Sequence, residues 1–480
     1  MKTGFSPFRR FARRALLRGA CALLLLCCVS AVAADSALLD DALDFAKKLD
    51  PDTDVKACRE AFLALTQTAR AAIEKNQADN PDAKDDPKST IEILNKVILI
   101  DREVSYISNQ YWRDSLFTSA LMHKKGNCLS TSLLYFLIGR ELKLPLKLIF
   151  LPRHAMARWD DGKTVLNIET TDHGRICSNE RVMNHFDLSE KDLPGTRFLT
   201  DLSDEETHAY LLANWSQVLF SMDRRNEARM IMHQVAQDFP ENTEFQLEDG
   251  GFALAAGRTE EAEAVFKAVM KKAEAPWARG VAAMTWSHYL EGRGRIDEAM
   301  EILQREFETA PARMRLTMVG RLGVLYRHKR DFPKAIKYHK LRAEYDPSEE
   351  TFNDLGSVLT EAHEDPEAID AYEKALTFNP ESFFTRVILA GLYERSGDKE
   401  KGRALFAKIE EPRDGKLEWW CSLVWYYANI KDEPLMLANM KKALDEDGSG
   451  HVYQYFVREP DLDSYREHAE FSELMKQHAP

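Results

Sequence analysis

The chain has 480 residues, too many for one ordinary core and enough for two or three domains. With 44% hydrophobic and 30% charged residues it reads as a globular chain, neither disordered nor fibrous. Its 65 Lys and Arg stand against 78 Asp and Glu, a net charge of −13. So acidic a chain lacks the basic patches that nucleic acid or an anionic membrane requires, and nucleic-acid binding is excluded first.

The first 34 residues hold six of those basic residues and no acid, so without them the balance is 59 bases to 78 acids, or −19. A basic stretch from Arg9 to Arg18 precedes an apolar run at 20–29, and small residues follow through Ala33 and Ala34. That order reads as a secretory signal peptide cleaved near Ala33 or Ala34. The run is too short to span about 30 Å of hydrocarbon, so no stable membrane insertion is expected after cleavage. Arg13-Arg14 with Leu16-Leu17 loosely matches a twin-arginine export motif, and no small residue precedes Cys27 or Cys28 as a lipid anchor would require. The expected location is the bacterial periplasm or the exterior. Cleavage leaves Cys58, Cys128, Cys177 and Cys421, too few for a disulfide scaffold and without C-x-x-C spacing.

Residues 36–75 read as two helices, followed by a polar loop at 80–87. A helical segment is expected over 90–123, and then Lys124-Lys125-Gly126-Asn127-Cys128 introduces an apolar helix over 129–142. Asn127 is a good N-cap, so Cys128 opens that helix. The helix N-terminus and the neighbouring Lys124 and Lys125 both favour a thiolate there.

Beyond Pro145 the period changes to two. Extended segments are expected at 147–151, 154–159 and 164–170, with Asp161-Gly162 as the hairpin turn. If those two residues form the turn, partner numbers sum to 323 and His154 faces Glu169 with Cβ atoms about 5 Å apart. A thiol at a helix start, followed by an imidazole and a carboxylate on neighbouring strands, is the layout of nucleophile, base and orienting acid. Taken singly, each piece has a bland reading: a small buried Cys, or a cross-strand polar pair. Oxidation of Cys128 with Cys177 or Cys58 would silence it. Asp160, Asp161 and Asp172 with His173 fit a turn better than a metal site. With no Gly-rich phosphate loop and no H-E-x-x-H, neither cofactor nor metal is expected.

Together, Gly126-Asn127-Cys128, His154 and Ile168-Glu169-Thr170-Thr171 resemble the transglutaminase-like (papain-like) superfamily over roughly 94–175. The resemblance implies an α+β fold with Cys128 as nucleophile, His154 as general base and acid, and Glu169 as orienting carboxylate. Glu169 departs from the usual Asp by one methylene, and no residue is identified to share the oxyanion with the Cys128 N–H. Phe150-Leu151-Pro152-Arg153-His154 with Arg158 resembles the bacterial branch that accompanies tetratricopeptide repeats, some members of which lack the Cys.

From about Thr207 a small residue recurs at Ala228, Ala262, Ala299, Ala335, Ala368, Gly402 and Met436, where Met replaces it. The spacings are 34, 37, 36, 33, 34 and 34 residues. In register with them stand Leu322-Gly323 with Tyr326, Leu355-Gly356 with Leu359, and Leu389-Ala390 with Tyr393, and repeats end at Pro240, Pro311, Pro347 and Pro380. This pattern resembles the tetratricopeptide repeat over roughly 207–445, about seven units. Trp419-Trp420 and Trp425-Tyr426-Tyr427 read as core packing within one unit, and the tail beyond 448 as a capping helix.

The expected organisation is therefore a signal peptide at 1–34, a transglutaminase-like domain at 35–200, an all-α solenoid at 207–445 and a capping region at 446–480. The expected activity is that of a cysteine acyltransferase or amide hydrolase, with a protein or peptide partner on the concave face of the repeats. The alternative is a non-catalytic scaffold whose front domain has kept the fold alone.

Overall fold

The structure is a computed structural model, and it describes residues 34–107, 112–409, 416–447 and 450–479. The signal peptide expected at 1–34 therefore lies almost wholly outside the described residues. Two long helices open the described chain, α1 (Ala34–Leu49) and α2 (Val55–Asp79), the second capped by Asp54, whose side chain accepts from the Ala57 N–H. Helix α3 (Pro87–Asn95) comes next, capped by Asp86 and begun by a proline that already has the backbone angle a helix needs.

The long helix expected over 90–123 is broken. After a π-helical turn at Lys96–Ile100 the chain reverses through Glu103, which takes a left-handed φ of 53°. Strand β1 (Ser105–Tyr106) then pairs in parallel with β2 (Lys125–Gly126), and helical order resumes only in short turns at Trp112–Ser115 and Ser119–His123. Backbone bonding to a segment twenty residues away has overridden the local helical pattern.

Helix α4 (Cys128–Glu141) is the centre of the domain; its residues from Cys128 to Gly139 are all buried, the hydroxyl-bearing Ser130, Thr131 and Ser132 included. Against it lies an antiparallel sheet of β3 (Leu146–Leu151), β4 (His154–Asp160), β5 (Val165–Glu169) and β6 (Arg175–Cys177), in that spatial order. Strands β3 and β4 join through Pro152-Arg153, with Leu151 opposite His154. The short α5 (Asn179–His185) completes the domain.

The rest is helical hairpins. They are α6/α7 (Asp204–Ser221, Arg225–Asp238), α8/α9 (Thr243–Ala255, Thr259–Lys272) and α12/α13 (Ala312–His328, Phe332–Tyr345), with helices α10 (Pro276–Gly292) and α11 (Ile296–Phe307) lying between the last two in the sequence. Then come α14/α15 (Glu349–Glu361, Asp365–Phe378), α16/α17 (Phe383–Ser396, Lys399–Phe406) and α18/α19 (Lys416–Asn429, Glu433–Glu446). Two helices, α20 (His451–Arg458) and α21 (Ala469–Gln477), end the chain, where a single capping helix was expected. Ala228, Ala262, Ala299, Ala335, Ala368 and Met436 are each 0% exposed, so the recurring residue is the contact at which the second helix of each hairpin meets the core. Trp419, Trp425 and Tyr426 are buried in the same way. Among the described residues no helix is long and apolar enough to cross a membrane.

The chain divides into two compact units, residues 1–289 with 308–311, and 290–307 with 312–480. The first unit carries the α/β domain together with the first helical hairpins, and their union is apolar as well as polar. Phe45 stacks on Trp215 at 4.0 Å and Phe150 on Tyr210 at 4.3 Å between ring centroids. Trp277 donates its backbone N–H to Asp192 Oδ1 at 2.8 Å, and the Arg197 N–H reaches Glu244 Oε1 at 2.9 Å.

Candidate active site

Asn127 sets the position of the thiol. Its Oδ1 accepts from the Ser130 N–H at 2.9 Å, and Ser130 Oγ accepts from the Asn127 N–H at 2.8 Å, so the helix start is capped reciprocally. Asn127 Nδ2 also donates to Ser115 Oγ at 2.9 Å. Residue 126 must be glycine for this: a Cβ there would lie 2.7 Å from Ser130 Oγ and 2.9 Å from Thr131 Cγ2. Cys128 is thereby held as the first residue of α4, buried but for 9% of its surface.

A row of hydroxyls fixes α4 to the sheet. Thr170 Oγ1, just past β5, lies 2.8 Å from Thr131 Oγ1 and 2.9 Å from Ser132 Oγ, and Ser132 also donates to the Ala155 carbonyl at 3.2 Å. Every one of these groups is buried, so the contacts cannot be exchanged for water without cost.

His154 is the first residue of β4, directly after the turn in which Arg153 adopts a φ of 57°. Its Nε2–H donates to Glu169 Oε2 at 2.8 Å. The other Glu169 oxygen accepts from the Thr171 N–H at 3.0 Å and the Thr171 hydroxyl at 2.5 Å. Cys128 lies near enough to the same imidazole to act on its charge. Phe186 covers the ring, centroid to centroid 5.3 Å. The structure thus brings His154 and Glu169 into direct contact and places Cys128 within reach of the same ring's charge.

The register that does this is not a two-residue turn. Ala157 pairs with Ile168, Arg158 with Asn167 and Asp160 with Val165, so partner numbers sum to 325 and the loop has four residues. Asp161 is the cause: its Oδ1 accepts from the Lys163 N–H at 2.8 Å and the Thr164 N–H at 2.7 Å, drawing both out of the ladder. Asp160 Oδ1 accepts from the Gly162 N–H at 2.9 Å. A shift of two keeps each side chain on its face, so His154 and Glu169 meet as diagonal neighbours rather than directly opposed.

Electrostatics follow the contacts. Burial pushes the His154 pKa down, but hydrogen bonds to Cys128 and Glu169 and their charges outweigh it and raise it to about 9. Burial presses the Glu169 pKa up, and bonds from His154 and Thr171 reverse that and hold it below its ordinary value. These contacts favour the charged ring and the charged carboxylate together. All four described cysteines are free thiols. Burial raises the pKa of Cys58 and Cys177, and pushes that of Cys421 up to about 12.

One neighbour of the site went unread in the sequence. Tyr106, 53% exposed, pairs with Gly126 across β1 and β2, and feels the charges of Cys128 and Glu169. A two-residue strand leaves no periodic signal, so nothing local pointed to it. Arg158 is 4% exposed and ties the sheet to the segment beyond β6, donating to Asn167 Oδ1 at 2.8 Å, the Leu199 carbonyl at 2.7 Å and Asn179 Oδ1 at 3.0 Å. It is an anchor, not part of the contact chain. Among the described residues no group of three or more His, Cys, Asp or Glu could hold a metal ion.

Residues 58–207 match the family model of the transglutaminase-like superfamily, Transglut_core2. No curated protein matches the chain. Among solved structures it is similar to the C-terminal part of a TPR repeat-containing protein from Cytophaga hutchinsonii, at 17% identity and a TM-score of 0.38, over 49% of this chain and 96% of that one. It is similar also to MamA of AMB-1, at 23% identity and a TM-score of 0.29, over 36% of this chain and 92% of that one. YrrB, a TPR protein with an unusual peptide-binding site, matches at 16% identity and a TM-score of 0.27, over 37% of this chain and 90% of that one. The chain carries a transglutaminase-like α+β domain followed by an all-α solenoid of tetratricopeptide type.

Proposed function

We propose that this is an exported protein that performs thiol acyl transfer with Cys128, His154 and Glu169, while its repeats bind a protein or peptide. Cys128 sulfur attacks the carbonyl carbon of a carboxamide or peptide bond. The Cys128 N–H, in the first helical turn where N–H groups lack intrahelical acceptors, receives the developing oxyanion. The His154 imidazolium gives its proton to the departing nitrogen as the C–N bond breaks, leaving a thioester. Water or an amine then adds to the thioester while His154 takes its proton, and the thiolate leaves. Water makes the reaction hydrolysis and an amine makes it transamidation. Glu169 holds the ring in orientation throughout.

The observation that carries this reading is the imidazole bonded to Glu169 at 2.8 Å with the Cys128 thiol near enough to act on the same ring. A merely structural histidine needs neither a thiol partner nor a carboxylate itself fixed by Thr171. Export rests on the leader, and N-terminal sequencing of the secreted protein is expected to begin within a residue or two of Asp35.

Iodoacetamide alkylation of the purified full chain, with peptide mapping, tests the chemistry. At pH 6.5 Cys128 is expected to react at least about tenfold faster than Cys58, Cys177 or Cys421, and the His154→Ala variant to lose that lead. Equal rates at all four thiols, or a lead that survives His154→Ala, would sink the enzyme reading and leave the repeats as the working part.

A further inference from the structure

Helix α4 holds the orienting carboxylate as well as the thiol, and it does so through a residue far away in the sequence. Glu169 ends β5, and the next five residues turn the chain back into β6, with Glu169 paired to Arg175. The turn closes on Glu169 itself: its carbonyl accepts from the Asp172 N–H at 3.1 Å and the Gly174 N–H at 3.0 Å. Whatever fixes this turn fixes the base of the Glu169 side chain.

Two points fix it, and both lead to α4. At the near end Thr170 meets Thr131 and Ser132, one turn along α4 from Cys128. At the far end the Gly174 carbonyl accepts from Asn95 Nδ2 at 2.8 Å, and the Tyr135 hydroxyl donates to Asn95 Oδ1. Tyr135 lies two turns along α4 from Cys128 and is 0% exposed; Asn95, the last residue of α3, is 8% exposed. The fit is close. Gly174 has a φ of 77°, and a Cβ there would fall 1.9 Å from Asn95 Oδ1, so only glycine lets the amide lie on the turn. Asn95 supplies a donor to one partner and an acceptor to the other, which neither Asp nor Leu at this position would do.

We propose that Asn95 is a positioning residue of the site, clamping the Thr170–Gly174 turn to Tyr135 so that Glu169 stays aimed at His154. The inference rests on the reading of Glu169 as the carboxylate that orients His154. Cys128, Thr131, Ser132 and Tyr135 all belong to one helix, so α4 acts as a ruler between sulfur and carboxylate, and Asn95 is its remote fastening.

The test uses the full chain and the double variant Asn95→Ala, Tyr135→Phe, which removes the amide without stranding the phenol. Amide hydrogen exchange at Asp172 and Gly174 is expected to quicken at least about tenfold, while exchange in the helical hairpins is unchanged. His154, followed by imidazole NMR, is expected to titrate lower than in the parent, in the direction that Glu169→Gln moves it. Combining the double variant with Glu169→Gln is expected to lower it no further, because both act through one carboxylate. Unchanged exchange at Asp172 and Gly174 overturns the clamp, as does a fall in His154 titration that adds fully to that of Glu169→Gln. If Glu169→Gln alone leaves His154 unmoved, the orienting role of Glu169 fails instead, and exchange at the turn still decides whether Asn95 clamps it.

Discussion

His154 is a half-buried imidazole and His339 a fully buried one, and the molecule treats them in opposite ways. His154, in the α/β domain, gives Nε2 to Glu169 and lies within the influence of Cys128, and its pKa is raised to about 9. His339, on α13, is 1% exposed, and neither of its nitrogens has a hydrogen-bond partner among the described residues. Burial, with Arg327 and Arg342 adding their positive charges, lowers its pKa to about 4. His339 comes four residues after Ala335, the place held in the other hairpins by Met232, Phe266, Leu303, Tyr372, Phe406 and Met440. Its ring packs on Gly323, where a Cβ would be 2.9 Å away, as Tyr372 packs on Gly356 at 2.7 Å. Burial alone disfavours the charged ring in both places. Partners decide the sign, and only the α/β domain supplies them.

The strongest way to break the contrast is to strip His154 of its partners. In the double variant Cys128→Ala, Glu169→Gln only burial remains, and His154 is expected to titrate below 6.5 rather than at about 9. That is a change of more than about 3 kcal/mol in favour of the neutral ring. Imidazole NMR reads it directly, and a value remaining above about 8 would mean that the partners are not the cause. The linkage has a definite sign. A folded pKa raised above 6.5 gives stability that is complete below 6.5 and lost as pH rises toward about 9. The lowered Glu169 pKa gives stability present above 4.5 and lost as pH falls. The parent's advantage in Tm over the double variant is therefore expected to peak between about pH 5 and 6.5 and to shrink by pH 9.

Placing in the repeat slot what its sister repeats hold there tests the other side. His339→Phe removes two unpartnered nitrogens and keeps an aromatic ring against Gly323, so it is expected to stabilise the chain by about 1 kcal/mol at pH 7.5. Here the folded pKa lies below the ordinary 6.5, so the parent loses stability as pH falls from 6.5 toward 4 and the variant does not. The gain is expected to grow by about 3 kcal/mol, to about 4 kcal/mol, near pH 4, as urea denaturation at a series of pH values would register. A gain independent of pH would mean that His339 is charged or partnered in the folded chain.

What the sequence disclosed divides along the same line. The repeats were legible because their contacts recur at a fixed spacing, so Ala262 and Ala368 could be located without knowing what they touch. The strands around His154 and Glu169 were legible from alternation, yet their register was not. Asp161-Gly162 looks like a two-residue turn, and only the capture of two N–H groups by the Asp161 carboxylate makes it four. The contact survived because a slip of two preserves the face, where a slip of one would have separated the pair. The break near Glu103 was hidden, since β1 depends on pairing with residues twenty positions on. Asn95 was hidden more deeply, with partners 40 and 79 residues away and no local pattern to mark it. Periodic packing is written locally, whereas the fastening of a polar site is not.

The smallest effect sharpens the comparison by separating two fastenings of the same turn. Thr170→Val keeps the shape of the side chain and removes the hydroxyl shared by Thr131 and Ser132. Thr131 Oγ1 retains the Asn127 carbonyl at 2.7 Å and Ser132 Oγ the Ala155 carbonyl at 3.2 Å, so neither is left unpaired. The loss of stability is therefore expected to be about 1 kcal/mol, readable as a lowered urea midpoint with an unchanged slope. His154 is expected to keep its titration near about 9, because Thr171 still holds Glu169 and Asn95 still holds Gly174. A fall as large as that from Glu169→Gln would move the aiming of the carboxylate from the far end of the turn to the near one. Either result measures how much of the unlike behaviour of His154 and His339 rests on hydrogen bonds that never touch an imidazole.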